Sequence, residues 1–350
     1  MSAFDLAHCR ERADILGGQL NSPQLWHDHL LAREIEQQYK REIEIVASFQ
    51  SLCDRVEELL RSAKTIEPDS DVPSAEWDAE LVRLGEGCRE LEIILLFRGE
   101  KDFRKAVLTV EANVNGESNR RWAEQLFKGY LRWALRNHHP AQIVEGLPTQ
   151  PVPAHRFSAI ISGANAFGWL RSEDGVHRSF TRDSSGGREV ANAHVHVVPE
   201  ISRKQDLSFD VSDLDIRMDT MRCVPDQGPY AGRTFTIRQL AHIPTGITIT
   251  HPHGSLFHET HVLALRVLKS RLFALLGQSP LLVGGTGRHY RDRIEWGNPI
   301  RIYDFRPPNI VKDICTGYKS SNPPEVVDGN FDGFMTAYLE MMAGTEDPRN

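Results

Sequence analysis

The first third of the chain has the hydrophobic spacing of long amphipathic helices. Between residues 22 and 63, apolar side chains recur mostly three or four positions apart, and Ser22-Pro23 is typical of a helix start. A second run has strict 4-3-4-3-4 spacing, which forms a heptad seam: Trp77, Leu81, Leu84, Cys88, Leu91 and Leu95. Prolines and acidic residues in 64–75 separate the two runs. The pattern predicts an antiparallel helical hairpin, either a packing module or a docking arm for a partner.

From about residue 106 the pattern becomes that of a mixed α/β region. The apolar strings AVLTVEANV, FSAIISG and ANAHVHVVPEI predict strands. The strings RRWAEQLFKGYLRWALRNH and HVLALRVLKSRLFALL predict amphipathic helices. The Gly-rich, basic segment GQSPLLVGGTGRHYRDR predicts a connection, and the C-terminal part predicts a strand, a Pro-rich turn and a closing helix. Together these elements predict an α+β protein.

The composition limits which cellular compartment and which kinds of partner we expect. The 350 residues are 40% hydrophobic and 25% charged, which is typical of a globular chain of two or three domains. We expect neither a membrane span nor a signal peptide, because no apolar run is long enough for either. Five dispersed cysteines without a CxxC pair indicate a reducing compartment, so we expect a cytoplasmic protein. The net charge of −7 argues against a plain basic nucleic-acid binder, so RNA contact needs local patches.

Local strings, spread in order over nearly the whole chain, resemble bacterial class I peptide chain release factors. The type that reads UGA is the most similar. The strings are LWHDH (25–29), YLRWA (130–134), AFGWLRSEDGVHR (166–178), SGGRE (185–189), DLDIR (213–217), HIPTGI (242–247), LKSRL (268–272), and IVKDICTGY with VVDGNFDGFMTAYLE between 310 and 340.

The resemblance implies a multidomain α+β fold. It has an α-helical hairpin arm (1–105), a mixed α/β central domain (106–212, completed by 306–350) and a mixed α/β tip domain (213–305). In the family these parts face the stalk base, the decoding centre and the peptidyl transferase centre. The implied partners are the ribosome with its RNA and the P-site tRNA. We expect a monomer without cofactor, metal or membrane contact.

The catalytic loop departs from the family, where Gly-Gly-Gln positions the water that attacks peptidyl-tRNA. An ungapped alignment places Arg222 and Arg233 on the family's flanking arginines, and Gln227, Gly228 and Pro229 on Gly-Gly-Gln. Pro229 has no N–H to donate and a φ fixed at about −65°. Losing one oxyanion donor costs a hydrolase about 10²–10³ in rate. We therefore assign no catalytic residue and predict a binding factor rather than an enzyme.

The codon-reading end departs as well. The stretch GVHRSFTRDSSGGRE is shorter than in the family and lacks Ser-Pro-Phe, which reads stop-codon purines there. Val190 and Ala191 replace a histidine and a threonine that contact codon bases, and neither offers a side-chain hydrogen bond. Base edges are read by donors and acceptors, so we predict that stop-codon reading is lost. The remnant of this end comprises Ser184, Ser185, Gly186, Gly187, Val190 and Ala191.

The tip has also lost basic charge. Between residues 225 and 265, Arg233 and Arg238 are balanced by Asp226 and Glu259, whereas the family has a strongly basic string there. Because phosphate contacts dominate RNA affinity, we expect a weakened or rebuilt reach into ribosomal RNA. The candidate RNA-binding residues are Arg178, Arg188, Arg222, Arg233 and Arg238.

Five histidines occupy the same stretch. HETH places two of them at i, i+3 rather than at the i, i+4 of HExxH, so we predict no metal site. Weak, pH-dependent RNA contact and solvated or packing roles stay open for them. They are His242, His251, His253, His258 and His261.

Three functions are consistent with these observations. The first is a release factor paralogue that binds the ribosomal A site without stop-codon reading or normal hydrolysis. Its role would be rescue, protection or regulation, and it could recruit a separate hydrolase. The second is a peptidyl-tRNA-hydrolysing factor with a remodelled loop that uses Gln227 or the histidines. The third is an mRNA-binding protein that acts off the ribosome.

Overall fold

The computed structural model forms two compact units, Met1–Arg98 and Gly99–Asn350. The segment at Arg104, which was expected in the arm (1–105), is hydrogen-bonded within the second unit: the Phe167 N–H donates to the Arg104 carbonyl at 3.1 Å. No helix among the described residues is long and apolar enough to cross a membrane. The structure describes residues 3–27, 29–65, 74–97, 99, 101–113, 116–146, 154–182, 185–201, 216–224, 232–252, 257–278, 294 and 296–344.

In the described part of the first unit, the two predicted helices are present and a third long helix precedes them. They are α1 (Ala3–Leu20), α2 (His29–Thr65) and α3 (Ser74–Leu95). The helix expected from Ser22 begins at His29, because a turn and a short 3-10 helix at Leu25–His27 precede it. The extra helix α1 has a helical spacing of its own, in Leu6, Cys9, Ala13 and Leu16.

The heptad seam on α3 is only partly buried. Leu84 and Leu91 are 6% and 4% exposed, whereas Leu81 is 54% exposed. A straight helix drifts by about 20° per heptad from a 3.5-residue repeat, so a heptad seam turns away from a packed neighbour along the helix. Where α2 and α3 meet, Gly87 permits the close approach, since a Cβ there would lie 2.9 Å from Leu52 Cδ2.

The second unit is built on two sheets. The larger contains β1 (Ala106–Ala112), β2 (Ala141–Glu145), β3 (Arg156–Ile161), β4 (Gly175–Arg182), β5 (Arg188–Pro199), β9 (Pro299–Asp304), β10 (Ile310–Asp313) and β11 (Lys319–Ser320). The smaller contains β6 (Ile216–Cys223), β7 (Phe235–His242) and β8 (Thr248–Pro252). The helices are α4 (Glu117–Arg136), α5 (Ala166–Leu170), α6 (Phe257–Gln278), α7 (Pro323–Val327) and α8 (Asp332–Gly344).

The strand order joins the C-terminal segment to the middle of the chain. The larger sheet runs β11-β10-β9-β4-β5-β1-β3-β2, and the smaller runs β6-β7-β8. β9 pairs in parallel with β4, and the other pairings are antiparallel. Pro299–Asp304 was expected in the tip domain 213–305, but its hydrogen bonds to β4 place it in the larger sheet.

One face of the larger sheet is covered by α4 and the C-terminal helices. The apolar residues of α4 lie three or four apart, and the Tyr130 ring stacks on Phe331 with centroids 4.5 Å apart. The helices approach closely at Gly129, where a Cβ would lie 2.5 Å from the Val327 carbonyl oxygen. This contact explains the glycine in the middle of α4.

The opposite face of the larger sheet is covered by α6 and the smaller sheet. Successive residues of a strand point to opposite faces, so Val107 and Ile160 belong to a different core from Leu108 and Ala159. The elements that cover this second face contribute Leu240, Ile247, Ile249, Ala264, Val267, Leu268, Leu272 and Leu275. The tip elements of the described chain are thus docked on the larger sheet.

Candidate functional site

The strands β6 and β7 carry the predicted loop at one end. Cys223 is paired with Phe235, and Arg222 with Thr236, so the chain leaves and re-enters the sheet at one place. Arg222 and Arg233 are exposed there. The central residues of the loop, Gln227, Gly228 and Pro229, lie outside the described residues.

The string HIPTGI forms the tight turn at the other end of β7. The His242 Nδ1 lies 2.9 Å from Thr245 Oγ1, and the His242 N–H donates to the Ile247 carbonyl at 2.9 Å. Gly246 has φ of 68°, in the left-handed region that glycine adopts readily. His242 is buried and bonded within this turn, so its role is to shape the β7–β8 connection.

Arg238 lies within β7 rather than at the loop. It is paired with Thr220 on one side and with His251 on the other, and its Nη1 is 3.9 Å from Met218 Sδ. His251 is buried, and its ring centroid is 6.1 Å from that of His261 on α6. Among the residues that the structure describes, no three His, Cys, Asp or Glu side chains are placed to hold a metal ion. His253 and the side chain of His258 lie outside that part of the chain.

A buried polar cluster fixes α6 against the larger sheet. The Arg271 Nη2 donates to Thr109 Oγ1 at 2.7 Å, to Ser158 Oγ at 2.6 Å and to Glu145 Oε2 at 2.9 Å. The other oxygen of Glu145 accepts from the Thr250 N–H of β8 at 2.8 Å. Burial would raise the pKa of Glu145, but the nearby arginines lower it below its ordinary value. The cluster therefore joins α6 and the smaller sheet to the larger one through an ionised carboxylate.

The codon-end remnant is the turn between β4 and β5. Arg182 is paired with Arg188, and the Thr181 hydroxyl donates to Glu189 at 3.2 Å next to the turn. Gly186 has φ of 84°, so the SGGRE string serves a turn that needs glycine. Ser185 and Gly186 are exposed and Gly187 is half-buried, while Ser184 lies outside the described residues.

Val190 and Ala191 point to opposite faces of the larger sheet. Val190 is 40% exposed, whereas Ala191 is 3% exposed and belongs to the core under α4. Because side chains alternate along a strand, the two cannot both face a ligand. The codon end therefore presents a valine, and the alanine contributes to packing.

The two candidate arginines of this hairpin have different surroundings. Arg178 donates through Nε to Asn192 Oδ1 at 2.8 Å and through Nη2 to the Trp296 carbonyl at 2.9 Å. Arg188 is exposed, and its Cζ lies 4.4 Å from the centroid of the Phe180 ring. Arg178 thus links β4, β5 and the segment before β9, while Arg188 is available to solvent.

Sequence reasoning missed Phe180 and Arg306 at this end. The Cζ of Arg306 lies 5.0 Å from the Phe180 ring centroid, so two guanidinium groups flank one aromatic ring. The period-2 pattern of β4 puts Phe180 on the same face as Arg178, which was a usable signal. Arg306 follows β9, and only the parallel pairing of β9 with β4 brings it here.

A buried charge cluster lies beneath the hairpin. The Arg301 Nη1 donates to Glu173 at 2.5 Å and its Nη2 donates to Asp313 at 3.1 Å. His177 lies beside them, with Nδ1 3.1 Å from the Tyr303 hydroxyl. Burial, and then the Arg301 charge, lower the pKa of His177 to about 4. The cluster is closed to ligands and holds β4, β9 and β10 in place.

Comparison with known proteins gives one consistent match. The model of the PCRF domain matches residues 9–185. Peptide chain release factor 2 of Mycobacterium sp. (strain KMS) is 30% identical over 356 residues, covering 98% of this chain and 94% of the relative. Peptide chain release factor 2 of Clostridium perfringens (strain SM101 / Type A) is 27% identical over 351 residues, covering 97% and 93%.

A solved structure agrees with the sequence matches. RF2 of Thermus thermophilus superposes with a TM-score of 0.68 and 28% sequence identity, covering 97% of both chains. The similarity therefore includes the arm, the larger sheet and the tip elements together.

Proposed function

Because the chain belongs to the class I peptide chain release factor family, we propose that it is a release-factor-like translation factor. It binds the ribosomal A site without reading a stop codon and without Gly-Gly-Gln hydrolysis. The observation that carries this proposal is the Gln227-Gly228-Pro229 sequence at the β6–β7 loop of an otherwise nearly full-length match. The relatives are named release factors, and the match includes the parts of the chain with which the family binds the ribosome.

The loss of hydrolysis follows from the chemistry of proline. Pro229 stands where the family has the glutamine, so neither a side-chain amide nor a backbone N–H is present at that position. Stabilisation of a developing oxyanion needs such donors in place beforehand. Arg222 and Arg233 stay at the base of the loop and are assigned to ribosomal RNA or to the P-site tRNA.

The loss of stop-codon reading follows from the side chains at the codon end. Val190 is exposed but has no polar group, and Ala191 is buried. The turn residues offer serine hydroxyls and glycine, which do not supply the paired donors and acceptors that distinguish bases. Binding at the decoding centre is therefore independent of a stop codon.

The proposed role is rescue, protection or regulation of a ribosome, acting as a cytoplasmic monomer. A factor that occupies the site without hydrolysis senses a stalled complex, excludes an inhibitor or holds the ribosome idle. It also offers a surface on which a separate hydrolase is recruited. The ribosome is the partner in each case, and mRNA is a further one.

A release assay on purified ribosomes tests the proposal. We expect co-sedimentation with ribosomes at low and physiological salt, and no peptide release above the spontaneous rate from stop-programmed complexes. Release at the rate of an authentic factor would falsify the proposal. If Gln227→Ala then abolished that release, the chemistry would lie in a remodelled loop. A chain absent from the ribosomal fractions at both salt concentrations would instead be an RNA-binding protein that acts off the ribosome.

A further inference from the structure

The part of the first unit that lies beyond α1 carries an exposed apolar groove. We define the distal groove as Val56 and Leu60 of α2 with Trp77 and Leu81 of α3. Val56, Leu60 and Leu81 are 40%, 56% and 54% exposed, and Trp77 is half-buried. We propose that the distal groove binds a cationic amphipathic helix of a partner protein. The inference goes beyond the proposed function, which does not depend on a protein ligand.

The two helices that form the groove are antiparallel. The Arg41 Nη2 donates to the Ile94 carbonyl at 3.3 Å, and the Arg55 Nε donates to Glu80 Oε1 at 2.9 Å. Counting on from the second contact, the four members of the distal groove form two layers, each with one residue from each helix. At 100° per residue, the members on both helices are rotated in the same sense from the line where α2 and α3 meet. In an antiparallel pair, the same sense of rotation leads to the same side.

The distal groove continues the surface on which α1 packs. Arg12 of α1 pairs with Glu42 of α2 at 3.5 Å, and Phe49 of α2 belongs to the core cluster that α1 joins. Val56 follows Phe49 at the same seven-residue spacing, and Leu60 comes one turn later. The side of α2 that α1 covers therefore remains apolar where it becomes exposed.

Among the described residues, α1 stops short of the distal groove. A Cβ at Gly17 would lie 3.3 Å from the Tyr39 ring, and Cys9 packs with Ile45, so α1 runs antiparallel to α2. The helix begins six residues before Cys9, which brings it to the level of about residue 51 of α2. Beyond that level, the position of a third helix is open to a ligand.

The acidic charge of the first unit favours a cationic ligand. Residues 1–98 contain twenty acidic and eleven basic side chains, a net charge of −9 on a chain of −7. Two arginines near the groove are engaged by the same glutamate, since Arg55 and Arg83 both pair with Glu80. These surroundings attract a basic protein segment, and they repel RNA phosphates and anionic lipids.

Two carboxylates lie beside the apolar positions. Glu57 follows Val56 on α2, Asp78 precedes Leu81 by one turn on α3, and both are exposed. At 100° per residue, they lie on the outer rim of the groove. A helix whose apolar stripe contacts the groove places its flanking side chains against this rim, so lysine and arginine are favoured there. A second copy of the chain would present carboxylates to carboxylates.

The groove has the dimensions and composition of a helix-binding site. From Val56 to the end of α2 at Thr65, the chain rises about 14 Å, which matches an α-helix of about three turns. Helices that bind in grooves use apolar residues at i, i+3 or i+4, and i+7 as anchors. Trp77 is the kind of large, partly buried side chain that dominates such contacts.

Fluorescence anisotropy of labelled peptides with the full chain tests the inference. The probe is a peptide of leucine and lysine, ~14 residues long, with its leucines on one helix face. We expect saturable binding that Leu60→Gln and Leu81→Gln each weaken by about tenfold or more, because each removes an apolar contact. Glu57→Gln combined with Asp78→Asn should reduce the salt dependence of the affinity.

Val82→Gln is the matched control. Val82 is 59% exposed and adjacent to Leu81, but one residue further around α3 it faces away from the distal groove. Its affinity for the peptide should stay within about twofold of that of the parent chain. Equal affinities of Leu81→Gln and Val82→Gln would overturn the inference.

Two control peptides separate the apolar contact from charge attraction. A peptide with strictly alternating leucine and lysine presents no helical stripe, and we expect it to bind at least about tenfold more weakly. A helix with the same leucines and glutamate in place of lysine should also bind more weakly, because the rim repels it. Equal binding of either control peptide would contradict the proposed ligand.

Sedimentation equilibrium tests a second copy as the occupant. We expect the parent chain to remain monomeric at the concentrations used for peptide binding. Self-association that Leu81→Gln abolishes would assign the groove to a dimer and overturn the inference. Melting temperatures of Leu60→Gln and Leu81→Gln should stay close to that of the parent chain, because both side chains are more than half exposed.

Ribosome co-sedimentation of the parent chain keeps the two proposals separate. A chain that sediments with ribosomes but does not bind the peptide leaves the proposed function intact and removes this inference. A chain that binds the peptide through Leu81 but does not sediment with ribosomes retains this inference and loses the proposed function.

Discussion

At the residue scale, buried charges decide how the stability of the second unit depends on pH. Arg301, Glu173 and His177 are all fully buried, and Arg301 donates a hydrogen bond to each carboxylate oxygen of Glu173. Removing one partner of such a pair leaves an uncompensated charge, at a cost of about 3–5 kcal/mol. His177 lies against this cluster as a neutral ring. Its neutrality links the stability of the second unit to pH.

We predict that the unfolding free energy of the second unit falls between pH 6.5 and pH 4. The pKa of His177 is lowered to about 4 by burial and by the Arg301 charge, and the pKa of His194 is lowered to about 4 mainly by burial. Between these pH values the two histidines are protonated in the unfolded chain but neutral in the folded chain. Their contribution to stability is therefore present above pH 6.5 and is lost as pH falls. Each group contributes about 1.4 kcal/mol per pH unit at most.

Urea unfolding at pH 7.5, 6 and 5 measures this dependence. The matched variant is His194→Phe, which keeps an aromatic ring beside Trp296 and removes one titrating group. The slope against pH should fall in the variant, because one of the histidines with a lowered pKa is gone. The same unfolding free energy at pH 7.5 and pH 5 would mean that the two imidazoles are protonated in the folded chain.

Restoring the family's loop sequence is a second residue-scale prediction. Gln227→Gly combined with Pro229→Gln writes Gly-Gly-Gln into the aligned positions. We expect peptide release to rise by about 10²-fold over the parent chain, because both donors of the glutamine return. Pro229→Gln alone is the control. It should recover less, since the first position then lacks the conformational range of glycine.

The outcome of that experiment distinguishes the effect of the loop residues from the effect of the geometry of the tip around them. No gain in the double variant, with ribosome binding unchanged, would show that the tip has lost the geometry for hydrolysis as well as the residues. A gain in Pro229→Gln equal to that of the double variant would contradict the role given to the first glycine.

At this scale the sequence identified candidate residues better than it identified the groups that surround each of them. It placed Arg178 and Arg188 together as RNA-binding candidates, and it cannot separate them, because the Trp296 carbonyl that engages Arg178 is distant in sequence. It likewise grouped Val190 with Ala191, although strand alternation alone puts them on opposite faces. The Phe180–Arg306 contact depends on a strand pairing that no local pattern reveals.

At the element scale, one buried arginine links α6 and the smaller sheet to the larger sheet through polar contacts. Arg271 links Glu145, Thr109 and Ser158, and the same carboxylate receives the Thr250 N–H. We predict that Arg271→Ala costs about 3–5 kcal/mol, because the buried Glu145 carboxylate loses the arginine that donates to it. Hydrogen exchange should show lost protection in α6 and β6–β8, with β1 unchanged.

A double-mutant cycle checks the cause of that loss. Arg271→Met with Glu145→Gln should cost at least about 1 kcal/mol less than the sum of the two single changes, since the charges are removed together. Lys269→Ala, on the same helix, controls for loss of a half-buried cation. Additive effects, or deprotection spread evenly over the second unit, would contradict the assignment of Arg271 to this junction.

The packing of the C-terminal segment on α4 gives a further element-scale prediction. A Cβ at Gly129 would lie 2.5 Å from the Val327 carbonyl oxygen, so Gly129→Ala must push α7 away from α4. We expect a loss of about 1–3 kcal/mol in unfolding free energy, which thermal unfolding detects. Gly344→Ala, where a Cβ would meet nothing within 4 Å, should leave stability nearly unchanged. Equal melting temperatures for the two variants would refute this account of α4.

Element prediction succeeded where one periodicity runs without interruption. The apolar positions of α4 and the alternation of β5 specify those elements well. The heptad on α3 predicted more burial than one partner helix provides, since Leu81 stays exposed. The helix α1 was missed, because two glycines and mixed charge dilute its spacing. No local pattern reveals that Pro299–Asp304 pairs with β4, because the paired residues are far apart along the chain.

At the scale of the whole molecule, the release-factor scaffold is retained over 97% of the chain. We propose that its two functional ends have changed: Pro229 stands where we align the glutamine of the family's loop, and Val190 is exposed at the codon end. On this proposal, the factor occupies the ribosomal site and leaves the ester intact. That combination has a kinetic consequence for any authentic release factor that needs the same site.

Competition for stop-programmed ribosomes tests this central claim most directly. An excess of the chain is added to ribosomes before a catalytic amount of an authentic release factor, and the rate of peptide release is measured. The account predicts that release slows in proportion to the occupied ribosomes and never exceeds the rate of the authentic factor alone. An unchanged rate at saturating chain, or a faster one, would contradict it.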